Sequence, residues 1–140
     1  MRRRSFLLTT ALAAATAPAL AQQEQRETRQ AEQAAEQWLR LTDAGSYPAA
    51  WTGSAPLLRA IVPQAQWESA MQAVRKPLGA VRQRILRSAT FMREMPGAPD
   101  GEYVVILYDT VFEYKAKAVE TITPARDKDG TWLVAGYFIQ

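Results

Sequence analysis

The chain has 140 residues, with 17 Lys and Arg against 14 Asp and Glu, and it contains neither cysteine nor histidine. That inventory excludes disulfide staples, thiol nucleophiles, Ser-His-Asp triads, imidazole switches and Cys/His zinc sites, so packing alone must hold the fold. Three of the 17 basic residues are Arg2, Arg3 and Arg4, which leaves 14 of each sign over residues 22–140; no cationic excess remains there for a nucleic acid.

The N-terminus reads as an export signal. Arg2–Arg4 precede the apolar stretch Phe6–Ala17, and Ala19-Leu20-Ala21 offers small residues where a signal peptidase would cut, after Ala21. The stretch falls short of the ~20 residues that span a bilayer, so no stable membrane span is expected after cleavage. Arg3-Arg4-Ser5-Phe6-Leu7 also resembles a twin-arginine signal, and both that route and the general secretory route stay open. Either places the product in the periplasm or outside the cell.

Residues 22–30 are polar and lack an apolar face, so a frayed lead-in is expected before one domain over 31–140. Ala31, Ala34, Ala35, Trp38 and Leu41 recur at helical steps, and Gly45 supplies the stop. Pro48 suits the first turn of a short helix carrying Trp51, Ser54 can cap a second through Leu57, Leu58 and Ile61, and Pro63 opens a third. Trp67, Ala70, Met71 and Val74 form the expected buried stripe of that last helix, which Pro77 and Gly79 close.

The period then changes from helical to alternating. Residues 81–95 alternate imperfectly, and the adjacent Ile85 and Leu86 point to a bulge. Pro96–Gly101 is a turn, followed by a long alternating run over 102–115. Val104, Ile106, Tyr108, Phe112 and Tyr114 share one face of that run, interrupted only by Thr110, while Tyr103, Val105, Leu107, Asp109, Val111 and Glu113 share the other. At ~3.3 Å per residue the run is too long for an ordinary strand, so curvature or a bulge is expected. A third strand over 118–124, a turn at Asp127–Gly130 and a last strand over 132–139 complete an α+β chain of N-terminal helices on a curved four-stranded antiparallel sheet. Large apolar residues on both faces of the long strand predict that both are covered, one by the helices and the other by the wrapped sheet or a second subunit.

Several motifs resemble an uncharacterised family of exported bacterial proteins, domain of unknown function 4019. They are Ala34-Ala35-Glu36-Gln37-Trp38-Leu39, Tyr47-Pro48-Ala49-Ala50-Trp51, Gln66-Trp67, Arg75-Lys76-Pro77-Leu78-Gly79, Pro96-Gly97-Ala98-Pro99-Asp100-Gly101-Glu102-Tyr103, Glu120-Thr121-Ile122-Thr123 and Trp132-Leu133-Val134-Ala135-Gly136-Tyr137-Phe138-Ile139. The resemblance implies a cone-like fold similar to nuclear transport factor two and the cystatin-like superfamily. It implies no activity and brings no catalytic residues.

Three features are candidates for a site. Trp38, Tyr47, Trp51 and Trp67 could line a pocket for an apolar ligand, or could simply be core. Asp109 interrupts an apolar face and could act as a pocket acid or base with Tyr47, Tyr103 or Tyr137, or could pair with Arg84 or Arg87 on the neighbouring strand. Arg82, Arg84 and Arg87 belong to a run with Arg75, Lys76 and Arg93 that has no acidic residue from 75 to 93. That run is either a patch for an acidic ligand, a protected strand edge, or a set of partners for Glu24, Glu27, Glu32 and Glu36. No cofactor or metal motif is present. The leading expectation is a non-catalytic binding or protein-interaction module, a homodimer through its sheet face, with an envelope protein as another partner class. The alternative is a small pocket enzyme or carrier for an apolar ligand that uses Asp109 and a tyrosine.

Overall fold

A computed structural model describes residues 16–140. The arginine cluster and most of the apolar stretch read as an export signal lie outside the described residues. Four helices precede a four-stranded sheet: α1 (Thr16–Asp43), α2 (Tyr47–Thr52), α3 (Pro56–Ile61), α4 (Gln64–Arg75), β1 (Val81–Met92), β2 (Tyr103–Phe112), β3 (Lys115–Arg126) and β4 (Trp132–Ile139). All neighbouring strands are antiparallel in the order β1-β2-β3-β4, and the helices pack on one face. This is the α+β class that the change of period predicted.

Helix α1 buries Glu27, Ala31, Ala35, Trp38, Leu39 and Thr42, a stripe at three- and four-residue steps that lies against the sheet. Its end is a Schellman motif: the Ser46 amide donates to the Leu41 carbonyl at 2.8 Å and the Gly45 amide to Thr42 at 3.0 Å. Gly45 takes the φ of +74° that this closure requires. Residues 22–30 differ from the frayed segment expected: they are regular helix, and Glu27 is buried with its carboxylate accepting from the Trp132 indole at 2.8 Å. A polar residue 105 positions from its partner gives no local sign of that role.

Two helical details also differ from expectation. Ser54 is no cap. The residue before α3 is Ala55, and the Ser54 hydroxyl is buried, donating to the Ala50 carbonyl and accepting from the Trp38 indole. On α4 the inward stripe is Trp67, Met71 and Arg75, whereas Val74 is 48% exposed. The four-residue step continued to an arginine because a buried partner awaits it.

In the sheet, the long run over 102–115 is not one strand. It is β2, a two-residue turn at Glu113-Tyr114, and the start of β3, with Phe112 opposite Lys115. The turn is held from outside itself, as the Glu113 amide donates to Ala80 and the Tyr114 amide to Leu78. Gly79, at φ +73°, fits beneath it; a Cβ there would stand 2.9 Å from Glu113 Cβ and the Tyr114 ring. Tyr114, expected to share the face of Val104 and Phe112, is consequently 72% exposed. The bulges in β1 fall at Arg82 and Arg87, each the extra residue opposite a single step of β2. The second bulge restores the phase that places Ala89 and Phe91 against the core, which explains the imperfect alternation.

The inner face of β2 is Val104, Ile106, Tyr108, Thr110 and Phe112, all buried. With Ile122 and Val134 these pack against α1 and α4. The outer face carries Val105, Leu107 and Val111 from β2, Ile85 from β1, Val119 from β3 and Phe138 from β4; at one end Tyr103 is covered by the Pro96–Gly101 turn, its hydroxyl donating to the Pro99 carbonyl, and among the described residues no helix lies over the rest.

Candidate functional site

Trp38, Tyr47, Trp51 and Trp67 are brought together, but as packing. Trp38 meets Trp67 edge-on at 5.8 Å between ring centres and Tyr137 at 5.1 Å, and Tyr47 meets Trp67 at 6.3 Å. The Trp38 indole donates to Ser54 Oγ at 2.9 Å and to the Ala50 carbonyl, and the Trp51 indole donates to the Val62 carbonyl at 3.0 Å. The indole N–H groups of Trp38 and Trp51 are therefore satisfied inside the helical layer. Tyr47 reaches a cleft of about 480 Å³, which it lines with Thr42, Asp43, Gln72, Arg75 and Lys76, and Trp38 borders a smaller one of about 180 Å³ with Leu41 and Trp132.

At the inner wall of that cleft lies a group of charged residues of which the sequence picked out only the arginines. Asp43 sits in the last turn of α1, where a negative charge opposes the helix dipole. Arg84 reaches it with two bonds of 2.8 and 3.0 Å, and Arg75 with one of 2.8 Å. Arg84 also binds Glu120 on β3, Nε to Oε1 at 2.7 Å and Nη2 to Oε2 at 3.1 Å. Glu120 is fully buried and accepts two further bonds, from the hydroxyls of Thr110 and Tyr137. Arg75 lies 5.3 Å over the Phe112 ring and donates to Thr42.

Two carboxylates and two guanidinium groups make this cluster neutral. Burial acts to raise the Asp43 carboxyl, but bonds from Arg84 and Arg75 outweigh it and hold the group below the usual aspartate range. Burial also acts to lower Arg84, and its bonds to Asp43 and Glu120 prevail and raise it. For Tyr137, burial and then the Glu120 charge act in the same direction and push the phenol far above its ordinary value. Protons are thus held in place. The cluster ties the ends of α1 and α4 to all four strands, with Glu120 shut from solvent.

Asp109 is elsewhere. It stands on the outer face opposite Ile85 and is paired with Arg87, the two side chains 50% and 49% exposed. That is the cross-strand ion pair anticipated as its bland alternative. Neither Tyr47 nor Tyr137 is with it, since both belong to the helix side. A shallow open groove of about 340 Å³ runs beside Asp109, lined by Ile85, Val111, Val119 and Gln140.

Arg82, Arg84 and Arg87 do not form one patch. Arg82 faces Glu113 at 3.6 Å, Arg84 turns inward to Asp43 and Glu120, and Arg87 turns outward to Asp109. Farther along the run, Arg93 pairs with Glu24 of α1 at 3.0 Å. Alternation separates neighbouring cations and the bulges rotate them further, so a run in the sequence becomes separate pairs in space. Among the described residues there is no cluster of acidic side chains arranged for a metal ion.

A model of the family described as "Protein of unknown function (DUF4019)" matches residues 34–137. The chain belongs to the DUF4019 family. The matched span of this DUF4019 chain contains the whole buried cluster, from Asp43 through Arg75, Arg84 and Glu120 to Tyr137. No curated protein and no solved structure matches the chain.

Glu120 and Asp43 were absent from the sequence-derived candidates. Thr110 gave a partial signal, as a polar residue at an inward position of β2. Continuing the same two-residue period across the turn puts Ala118, Glu120 and Ile122 inward on β3, so a carboxylate and a hydroxyl on neighbouring inward rows could have been read as partners.

Proposed function

We propose that this DUF4019 protein is an exported, non-catalytic binding module that presents the outer face of its sheet to a protein partner. One observation carries the reading: the outer face shows Ile85 and Phe138 about half exposed among Val105, Leu107 and Val111, while the charges beside the helix-side cleft neutralise one another. An antiparallel sheet with one solvated face is normally polar on that face. An uncovered apolar sheet surface marks an association site.

Export rests on the charged and apolar N-terminus, and the fold accommodates cleavage after Ala21. Residues 17–23 are all exposed, and contact with the sheet side begins at Glu24 and Glu27, which bind Arg93 and Trp132. Residues 17–21 therefore anchor nothing in the domain. The intact mass of the protein from its own cell tests this directly, with Gln22 as the expected first residue. A cone-like relation to the nuclear transport factor two and cystatin-like superfamily belongs to the same reading.

Side-chain footprinting tests the binding surface, comparing the protein in intact cells with dilute purified material. The expected result is several-fold protection of Ile85 and Phe138 in cells. Unprotected outer-face residues, with protection instead at Tyr47 and Lys76 in the cleft, would replace this reading by that of a small-ligand carrier.

A further inference from the structure

We infer that the occupant of the outer sheet face is a second copy of the same chain, packed face to face about a two-fold axis. This rests on the reading of that face as the binding surface. The face is complementary to itself in shape. Phe138 stands out from β4, 53% exposed, while the groove of about 340 Å³ lies across β1–β3 between Ile85, Val111 and Val119. A cavity of roughly 150 Å³ already admits benzene, so the groove can receive a phenyl ring. A two-fold operation makes that contact twice, with each Phe138 entering the other copy's groove.

The charges agree with the shape. Arg87 and Asp109 form one exposed pair on this face, a dipole with no net charge. A copy related by a two-fold axis brings the same dipole reversed, so that each Arg87 can meet the partner's Asp109 as well as its own. Residues 22–140 carry equal numbers of acidic and basic residues, so two such chains meet without long-range repulsion. Four strands at ~4.8 Å and about eight residues at ~3.3 Å give a face of roughly 500 Å² in projection. A projected area of that size puts the contact at the small end of specific interfaces, below the ~800 Å² per partner of the standard size. Two such sheets pack ~10 Å apart, as in a sandwich.

Sedimentation of the cell-purified protein, with Arg87→Glu, Asp109→Lys and Phe138→Asp variants, tests the inference. All three positions are exposed, and matching thermal melts establish that the variants stay folded. The wild type is expected to dimerise between about 1 and 200 µM, the range for an interface of this size without a dense hot spot. Each single charge reversal places two like charges on the face and weakens self-association by about tenfold or more. An equimolar mixture of Arg87→Glu and Asp109→Lys chains regains association, because each face then meets its opposite. Phe138→Asp abolishes it. A wild type that stays monomeric throughout overturns the inference; if Ile85 and Phe138 are nonetheless protected in cells, the face belongs to a different protein and only the second copy is lost. A dimer untouched by all three substitutions also overturns it, by locating self-association on another surface.

Discussion

Removing the Glu120 carboxylate is the sharpest test of what holds the helices to the sheet. In Glu120→Ala, Arg84 loses bonds of 2.7 and 3.1 Å and keeps only Asp43, while the Thr110 and Tyr137 hydroxyls lose their shared acceptor. Breaking a buried ion pair from one side costs about 3–5 kcal/mol. The surviving Asp43 contact places the loss near the lower end of that range, about 3 kcal/mol, against a total of roughly 5–15 kcal/mol for a domain. Arg87→Ala is the control, because it removes a pair whose side chains are about half exposed. Such pairs contribute about 0–1 kcal/mol. Urea unfolding followed by tryptophan fluorescence measures both, since Trp38 and Trp132 lie in the core that the transition disrupts. A 3 kcal/mol loss corresponds to a melting temperature about 10–15 °C lower in a domain of this size. If Glu120→Ala costs less than about 1 kcal/mol, or no more than Arg87→Ala, the cluster is not what fastens the helical layer.

Three further outcomes follow from the geometry. Glu27→Ala should destabilise by about 1–3 kcal/mol, because it strands the buried Trp132 indole; a neutral result in the same urea assay would mean that α1 frays before residue 31. Gly79→Ala should cost about 1–3 kcal/mol, since a side chain at φ +73° would collide with the Glu113-Tyr114 turn, and an unchanged unfolding midpoint would count against that close approach. Burial, with the nearby Glu36 and Glu32 charges, pushes Tyr108 up to about 12, and Tyr137 is raised as well. The folded state therefore holds these protons more tightly than the unfolded chain. Stability is fully present below about pH 10 and is lost as pH rises through about 12, by the order of 2 kcal/mol from Tyr108 alone. Urea midpoints across that window should fall; a flat profile would refute the buried placement of both phenols.

Local signals in the sequence were enough for elements that end on local chemistry. Gly45 stopped α1 through a Schellman closure, and Asp127–Gly130 turned the chain into a last strand with the bounds expected. The turn at Glu113-Tyr114 was illegible because neither residue is a turn former and the alternation continues past it. Its definition comes from Leu78, Ala80 and Gly79, more than 30 positions earlier. The same distinction separates the candidate residues. The aromatic set was visible from its size and period, with Trp38 and Trp67 in the core and Tyr47 and Trp51 partly buried against it. Asp43, Glu27 and Glu120 looked like ordinary surface acids, because burial becomes tolerable only through arginines, an indole and hydroxyls that the fold supplies from far along the chain.

The clasp between Glu27 and Trp132 has a kinetic consequence. The first long helix makes most of its sheet contacts with the last two strands, so an N-terminal fragment lacks most of the surface that α1 settles against until the final residues have been synthesised. The clasp joins residues 105 positions apart, the slow long-range step in a fold whose strands otherwise pair with their neighbours in sequence. A chain built this way completes its core only when its last strand is in place.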